Sequence, residues 1–136
     1  MTDLELCVLA IKAMDNSYSP YSNYSVGAAL LTKTGKVYTG CNIENSAFSP
    51  TCCAERTAIF KAVSEGEREF SKIAIAGGKN SEALDETISP CGVCRQVMAE
   101  FCKTDFEILL VKSEAKYSKT TLGELIPLTF SAENIK

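Results

Sequence analysis

Apolar positions recur along the chain in two periods, and the switches between them mark its elements. Over residues 2–18 the spacing is helical, with Leu4, Cys7, Val8, Ile11, Met14 and Tyr18 recurring at three- and four-residue steps. Thr2 and Glu5 stand at capping-box spacing, and Leu6, Leu9 and Ala10 widen the apolar face. A face this wide is expected to be buried within its own domain, with contact to a second subunit as the alternative. Ser19-Pro20-Tyr21-Ser22-Asn23 then breaks the pattern into a loop. Residues 26–32 are a nearly continuous apolar run, 33–36 a turn and 37–41 β-prone, which together predict a hairpin. Helical spacing returns over 53–63, with Ala58, Ile59, Ala62 and Val63 on the apolar side and Ser64-Glu65-Gly66 closing the helix.

Residues 72–78 read as a short buried strand and 79–89 as a polar connection. Pro90 is expected at the first position of a helix that runs to about residue 102, with Val93, Val97, Met98 and Phe101 facing inward. A further apolar strand covers 106–111, a weak edge strand 116–120, and a short helix 122–126 before Pro127. Strands and helices alternate after the opening hairpin. The predicted fold is therefore α/β: a three-layer α/β/α sandwich on a mixed sheet of about five strands, forming one catalytic domain over residues 1–136.

Composition narrows the partners. The chain has 136 residues, enough to bury roughly two-thirds of its unfolded surface around one core. Its net charge of -3 repels polyanions, so no nucleic acid polymer is expected as a partner, and a small uncharged substrate suits it better. The opening residues lack a basic, then apolar, export pattern, and no stretch approaches a membrane span. Both points favour the cytoplasm. Seven cysteines, an odd number, argue against a disulfide framework there. The chain has no histidine, so a zinc site would have to be built from thiolate and carboxylate.

Cys91 and Cys94, three residues apart at a helix start, share a face and can bind one ion. Alone they also suit a redox dithiol, or half of a structural zinc knot completed by Cys52 and Cys53. Adjacent side chains near a helix start diverge, however, so one ion would rarely take both Cys52 and Cys53. Cys53 with Cys91 and Cys94 leaves the fourth position open, as in catalytic zinc sites, and makes Cys52 a packed thiol. Glu55 reaches the metal-bound water if Cys53 occupies the non-helical cap; otherwise it merely complements the helix dipole. Three thiolates leave Zn²⁺ with a net charge of about -1, which weakens it as a Lewis acid. Two helix N-termini and Arg56, donating to the thiolates, would offset that excess; otherwise Arg56 is a surface arginine, as Arg95 is expected to be.

Cys53-Ala54-Glu55 and Pro90-Cys91-Gly92-Val93-Cys94 resemble the signature of zinc nucleoside deaminases. Tyr24-Ser25-Val26-Gly27-Ala28-Ala29 and Gly40-Cys41-Asn42-Ile43-Glu44-Asn45 are similar to cytidine deaminases of the short, all-cysteine, homotetrameric kind, within the cytidine/deoxycytidylate deaminase family. The similarity runs from the first helix to Phe130. It implies one Zn²⁺ per subunit, attack of a zinc-bound hydroxide on C4 of the pyrimidine, and proton shuttling by Glu55. The products would be uridine or 2′-deoxyuridine and ammonia, a step of pyrimidine salvage. It also implies that Asn42 and Glu44 hold ribose hydroxyls, that Tyr24 lies against base or sugar, and that Ala54 lines the pocket. Phe48 and Phe130 would enclose the site of a neighbouring subunit in a homotetramer.

Four other readings compete, of which a polynucleotide deaminase is disfavoured by the acidic balance and the lack of a basic or aromatic binding strip. A relative with the same motif could deaminate another cytosine compound such as blasticidin S, although Asn42 with Glu44 favours a free ribose. A thiol redox protein would need only Cys91 and Cys94. A zinc-stabilised interaction module would use all four cysteines.

Overall fold

The apolar runs become strands whose two faces are both covered. The computed structural model describes residues 1–80, 82–84 and 86–136. The expected connection over 79–89 includes Ser81 and Asp85, which lie outside the described residues. The sheet has the order β2-β1-β3-β4-β5. β1 (Tyr24–Thr32) pairs antiparallel with β2 (Val37–Cys41) and with β3 (Phe70–Lys79). β3 runs parallel to β4 (Glu107–Val111), which pairs antiparallel with the edge strand β5 (Tyr117–Thr121). The mixed five-stranded sheet is as expected. β3 is longer than expected because Phe70 still pairs with Thr32, beyond a register shift at residues 31 and 32.

Side chains alternate between two cores, as strand pleating requires. On one face, Ala29, Ala74, Ala76, Leu109 and Val111 pack against Leu6, Cys7 and Ala10 of α1 (Asp3–Ala13). On the other, Ala28, Leu30, Ile73, Ile75 and Ile108 meet Ala54, Ala58, Ile59 and Ala62 of α2 (Ala54–Ser64) and Cys94 and Met98 of α3 (Gly92–Phe101). The inner strands β1, β3 and β4 thus lose their simple polar alternation and read as apolar runs. The short helix α4 (Leu122–Leu125) places Leu122 in this second core.

Two glycines set how closely the layers approach. A Cβ on Gly27 would lie 2.0 Å from the Ala10 carbonyl oxygen, and one on Gly40 would lie 2.6 Å from both Ala54 O and Ala58 N. The starting turns of α2 therefore rest directly on β2.

The structure corrects several expectations. α1 has its predicted capping box but ends at Ala13, followed by a 3-10 turn over Met14–Asn16. Its inner stripe is Leu6, Cys7 and Ala10, while Leu4 and Val8 are exposed, because Ala10 must nestle against Gly27 and this rotates the larger residues outward. Tyr18 lies beyond the helix, exposed, and bridges to Ile43. Pro90 does not open α3: Cys91 has extended backbone, and its carbonyl accepts the first helical bond from Arg95 N, so Cys91 is the N-cap and Pro90 precedes it. Val93 is exposed because Cys94, one residue on, takes the inward place in the first turn.

Candidate metal centre

The centre is built where two helices begin. Cys53 is the N-cap of α2 and Cys91 the N-cap of α3, both with extended backbone, and Cys94 follows in the first turn of α3. The extended cap turns Cys53 away from the helical direction and lets it meet the α3 cysteines across the gap between helices. The Sγ atoms of Cys53, Cys91 and Cys94 lie within 4.8 Å of one another, with Cys53 and Cys91 3.6 Å apart. Tetrahedral zinc with bonds of about 2.3 Å sets sulfurs about 3.8 Å apart, so this donor set suits one zinc ion. Cys52 stands outside the group and accepts instead from Thr57 Oγ1.

Burial is graded across the site. Cys94 is fully buried, Cys53 half-buried and Cys91 exposed, so the site opens on one side. Glu55 is buried at 4% exposure. Burial pushes its carboxyl up to about 7, and the Cys53 sulfur pushes the same way. Cys53 is drawn down to about 5, chiefly by its hydrogen bond with Cys94 and further by Arg56 and Cys91. Cys94 moves up, since it shares its proton with Cys53 and is buried. The cluster holds a thiolate readily even before a cation adds its own charge.

Arg56 is not a free surface arginine. Its Nη2 lies 3.4 Å from Cys53 Sγ and 3.4 Å from the Thr51 carbonyl oxygen, and the pairing with Cys53 raises its own pKa. Its Nε is buried with no hydrogen-bond partner among the described residues. Arg95, by contrast, departs from expectation. Its guanidinium donates to the carbonyls of Pro90 at 2.8 Å and Leu125 at 2.7 Å, and to Ser89 Oγ, clamping the approach to Cys91 against the end of α4.

The loop after β2 is fastened beside these cysteines. Ile43 exchanges backbone hydrogen bonds with Cys52, and the flanking residues bond to Tyr18, which ties the loops after α1 and β2 to the start of α2. Asn42 is buried: its Oδ1 accepts from Val26 N at 2.9 Å and from Ser17 Oγ, and its Nδ2 donates to the Tyr24 carbonyl at 2.8 Å. The Glu44 carboxylate accepts from Tyr21 N at 2.9 Å, Ser22 N at 3.1 Å and the Ser22 hydroxyl, and these bonds hold its pKa below the usual carboxylate value. Tyr24 begins β1, half-buried, and Ala54 is fully buried at the first position of α2.

Phe48 and Phe130 lie outside this cluster, at 71% and 61% exposure. Phe48 has φ of 62° and meets Tyr21 edge-on with ring centroids 6.1 Å apart, while the Phe130 carbonyl accepts from Gln96 Nε2. Sequence reasoning passed over Ser17 and Ser22, because serines in a Pro-containing loop look like turn formers. Their spacing from Asn42 and Glu44 carries no local signal.

Residues 1–110 match the family of the cytidine and deoxycytidylate deaminase zinc-binding region. A cytidine deaminase of Sporosarcina psychrophila is 48% identical over 91% of this chain and 88% of its own. A blasticidin-S deaminase of Bacillus cereus is 36% identical over 95% of this chain and 92% of its own. The crystal structure of a cytidine deaminase from Burkholderia pseudomallei superposes with a TM-score of 0.87 at 43% identity, covering 96% of this chain and 100% of that one.

Proposed function

The chain belongs to the cytidine and deoxycytidylate deaminase family, and from that premise we propose that it hydrolyses cytidine and 2′-deoxycytidine to uridine and 2′-deoxyuridine, releasing ammonia. The observation that carries the reading is the convergence of three sulfurs beside one buried carboxylate. Cys53, Cys91 and Cys94 would hold one zinc ion, which supplies Lewis-acid activation of water at neutral pH.

Glu55 is the proton carrier: it accepts the proton given up by the attacking water, delivers it to ring N3 and then serves the departing amine. Burial, which raises the carboxyl above its ordinary value in the metal-free site, favours a group that takes up a proton and gives it back. Arg56 offsets the negative charge of the thiolates. Asn42 and Glu44 engage ribose hydroxyls, Tyr24 faces base or sugar, and Ala54 lines the pocket.

The catalytic unit spans residues 1–136 as one domain. It works as a homotetramer in which Phe48 and Phe130 close a neighbouring subunit's site, a reading supported by two large rings left exposed on loops. The exposed Leu4 and Val8 of α1 suit a subunit contact as well. We place the enzyme in cytoplasmic pyrimidine salvage, where a reducing milieu keeps the thiolates available. Among the described residues, no helix is long and apolar enough to cross a membrane.

Ultraviolet conversion of cytidine, followed alongside zinc content, tests the proposal. Glu55→Gln should keep its zinc and lose turnover; full activity in that variant would refute the mechanism. Faster turnover of blasticidin S than of cytidine would instead favour the antibiotic as substrate.

A further inference from the structure

The hydrogen-bond capacity of Asn42 and Glu44 is almost exhausted within the protein. A carboxylate offers about four acceptor positions. On Glu44, Oε1 takes the N–H groups of Tyr21 and Ser22, and Oε2 takes the Ser22 hydroxyl, which leaves one position on Oε2. On Asn42, Oδ1 accepts twice and Nδ2 has given one of its two hydrogens, which leaves one N–H. Among the described residues the pair therefore retains one acceptor and one donor, the two kinds of partner a sugar hydroxyl takes.

The Ser22 hydroxyl is itself oriented. Its oxygen accepts from Tyr24 N at 3.2 Å, so its hydrogen is aimed at Glu44. Removing that hydroxyl frees the second carboxylate oxygen to rotate about a bond held only by the two N–H groups on Oε1.

We propose that Ser22 is a positioning residue for substrate recognition: by anchoring Glu44 Oε2 it fixes the single remaining acceptor toward one ribose hydroxyl. This rests on reading Glu44 as a ribose contact. A carboxylate so anchored costs little further ordering when the nucleoside binds, and so discriminates a hydroxyl from an ether or a phosphate at that position.

The experiment compares Ser22→Ala, Ser22→Thr and Glu44→Gln on cytidine, 2′-deoxycytidine and 3′-deoxycytidine, with thermal melting of each variant. Ser22→Ala should raise KM for cytidine about tenfold, as expected for one hydrogen bond to a charged group, with kcat changed less than twofold. That penalty should vanish on the one analogue missing the hydroxyl that Glu44 takes, the same analogue on which the Glu44→Gln penalty vanishes, and Ser22→Thr should restore KM. If Glu44→Gln discriminates among the nucleosides but Ser22→Ala shows no penalty, or an equal one on all three, the positioning role is wrong and the Glu44 reading stands. If Glu44→Gln penalises all three equally, the ribose reading falls and the role of Ser22 with it.

Discussion

Replacing Arg56 with glutamine keeps much of the side chain's bulk and removes its charge. The structure sets the guanidinium 3.4 Å from Cys53 Sγ, and three thiolates around Zn²⁺ carry about one excess negative charge. A unit pair about 4 Å apart is worth about 4 kcal/mol at an effective dielectric near 20. Delocalisation over the guanidinium and competition from water on a half-buried side chain reduce that to about 1–2 kcal/mol, or roughly fivefold to thirtyfold in affinity. Zinc should therefore pass from the Arg56→Gln variant to a competing chelator at a correspondingly lower chelator concentration. The more negative site also weakens the Lewis acid, so kcat should fall in the same variant. Arg56→Lys keeps the charge without the planar fork and should lie between. Unchanged zinc retention together with unchanged kcat would refute the charge argument and leave Arg56 as a packing residue.

Glu55→Gln should cut kcat by roughly a hundredfold to ten-thousandfold, the usual contribution of general acid–base transfer, while zinc content stays at one per chain. In the metal-free protein the same change separates a pH effect. Because burial raises the Glu55 pKa to about 7, the native carboxyl is neutral without penalty below its unfolded value near 4.5, and stability is lost as pH rises from there through 7. Denaturant melts of wild type and variant should diverge across that window by about 3 kcal/mol, and parallel curves would show that the carboxyl is not held neutral. Gly27→Ala and Gly40→Ala should each destabilise by about 1–3 kcal/mol or more, with Gly27 the worse, since its new Cβ would meet the Ala10 carbonyl at 2.0 Å. Gly40→Ala should also weaken zinc retention, because it pushes on the start of α2; zinc binding that stays intact while Tm drops would uncouple the two.

Strand positions are legible in the sequence because a sheet covered on both faces leaves unbroken apolar runs such as that ending at Thr32. Helix existence is legible too, and so is the inner side of α2, where Ala58, Ile59 and Ala62 are buried as expected, but the rotation of α1 is not. The inner stripe of α1 is set by a small residue, Ala10, against Gly27 on the next strand, a contact made only on folding, and periodicity weighted by bulk points to Leu4 and Val8 instead. The start of α3 is misjudged because proline suits the first helical position in general, whereas here Cys91 takes the extended cap one residue later. The cysteine group is legible because its residue types and short spacing carry the chemistry. The supports of Asn42 and Glu44 are not: Ser17 and Ser22 sit more than 20 positions away from them, joined only by folding.

At a helix start, a serine or aspartate would ordinarily turn its side chain back on the exposed amides. Cys53 and Cys91 hold the two cap positions and make no such bond. A serine in either place would close the helix end and steady the metal-free chain by about 1 kcal/mol, and it would delete a thiolate in doing so. Helix stability and metal-binding capacity compete for the same two residues, so selection for a tougher fold alone would erode the three-cysteine group at these two positions.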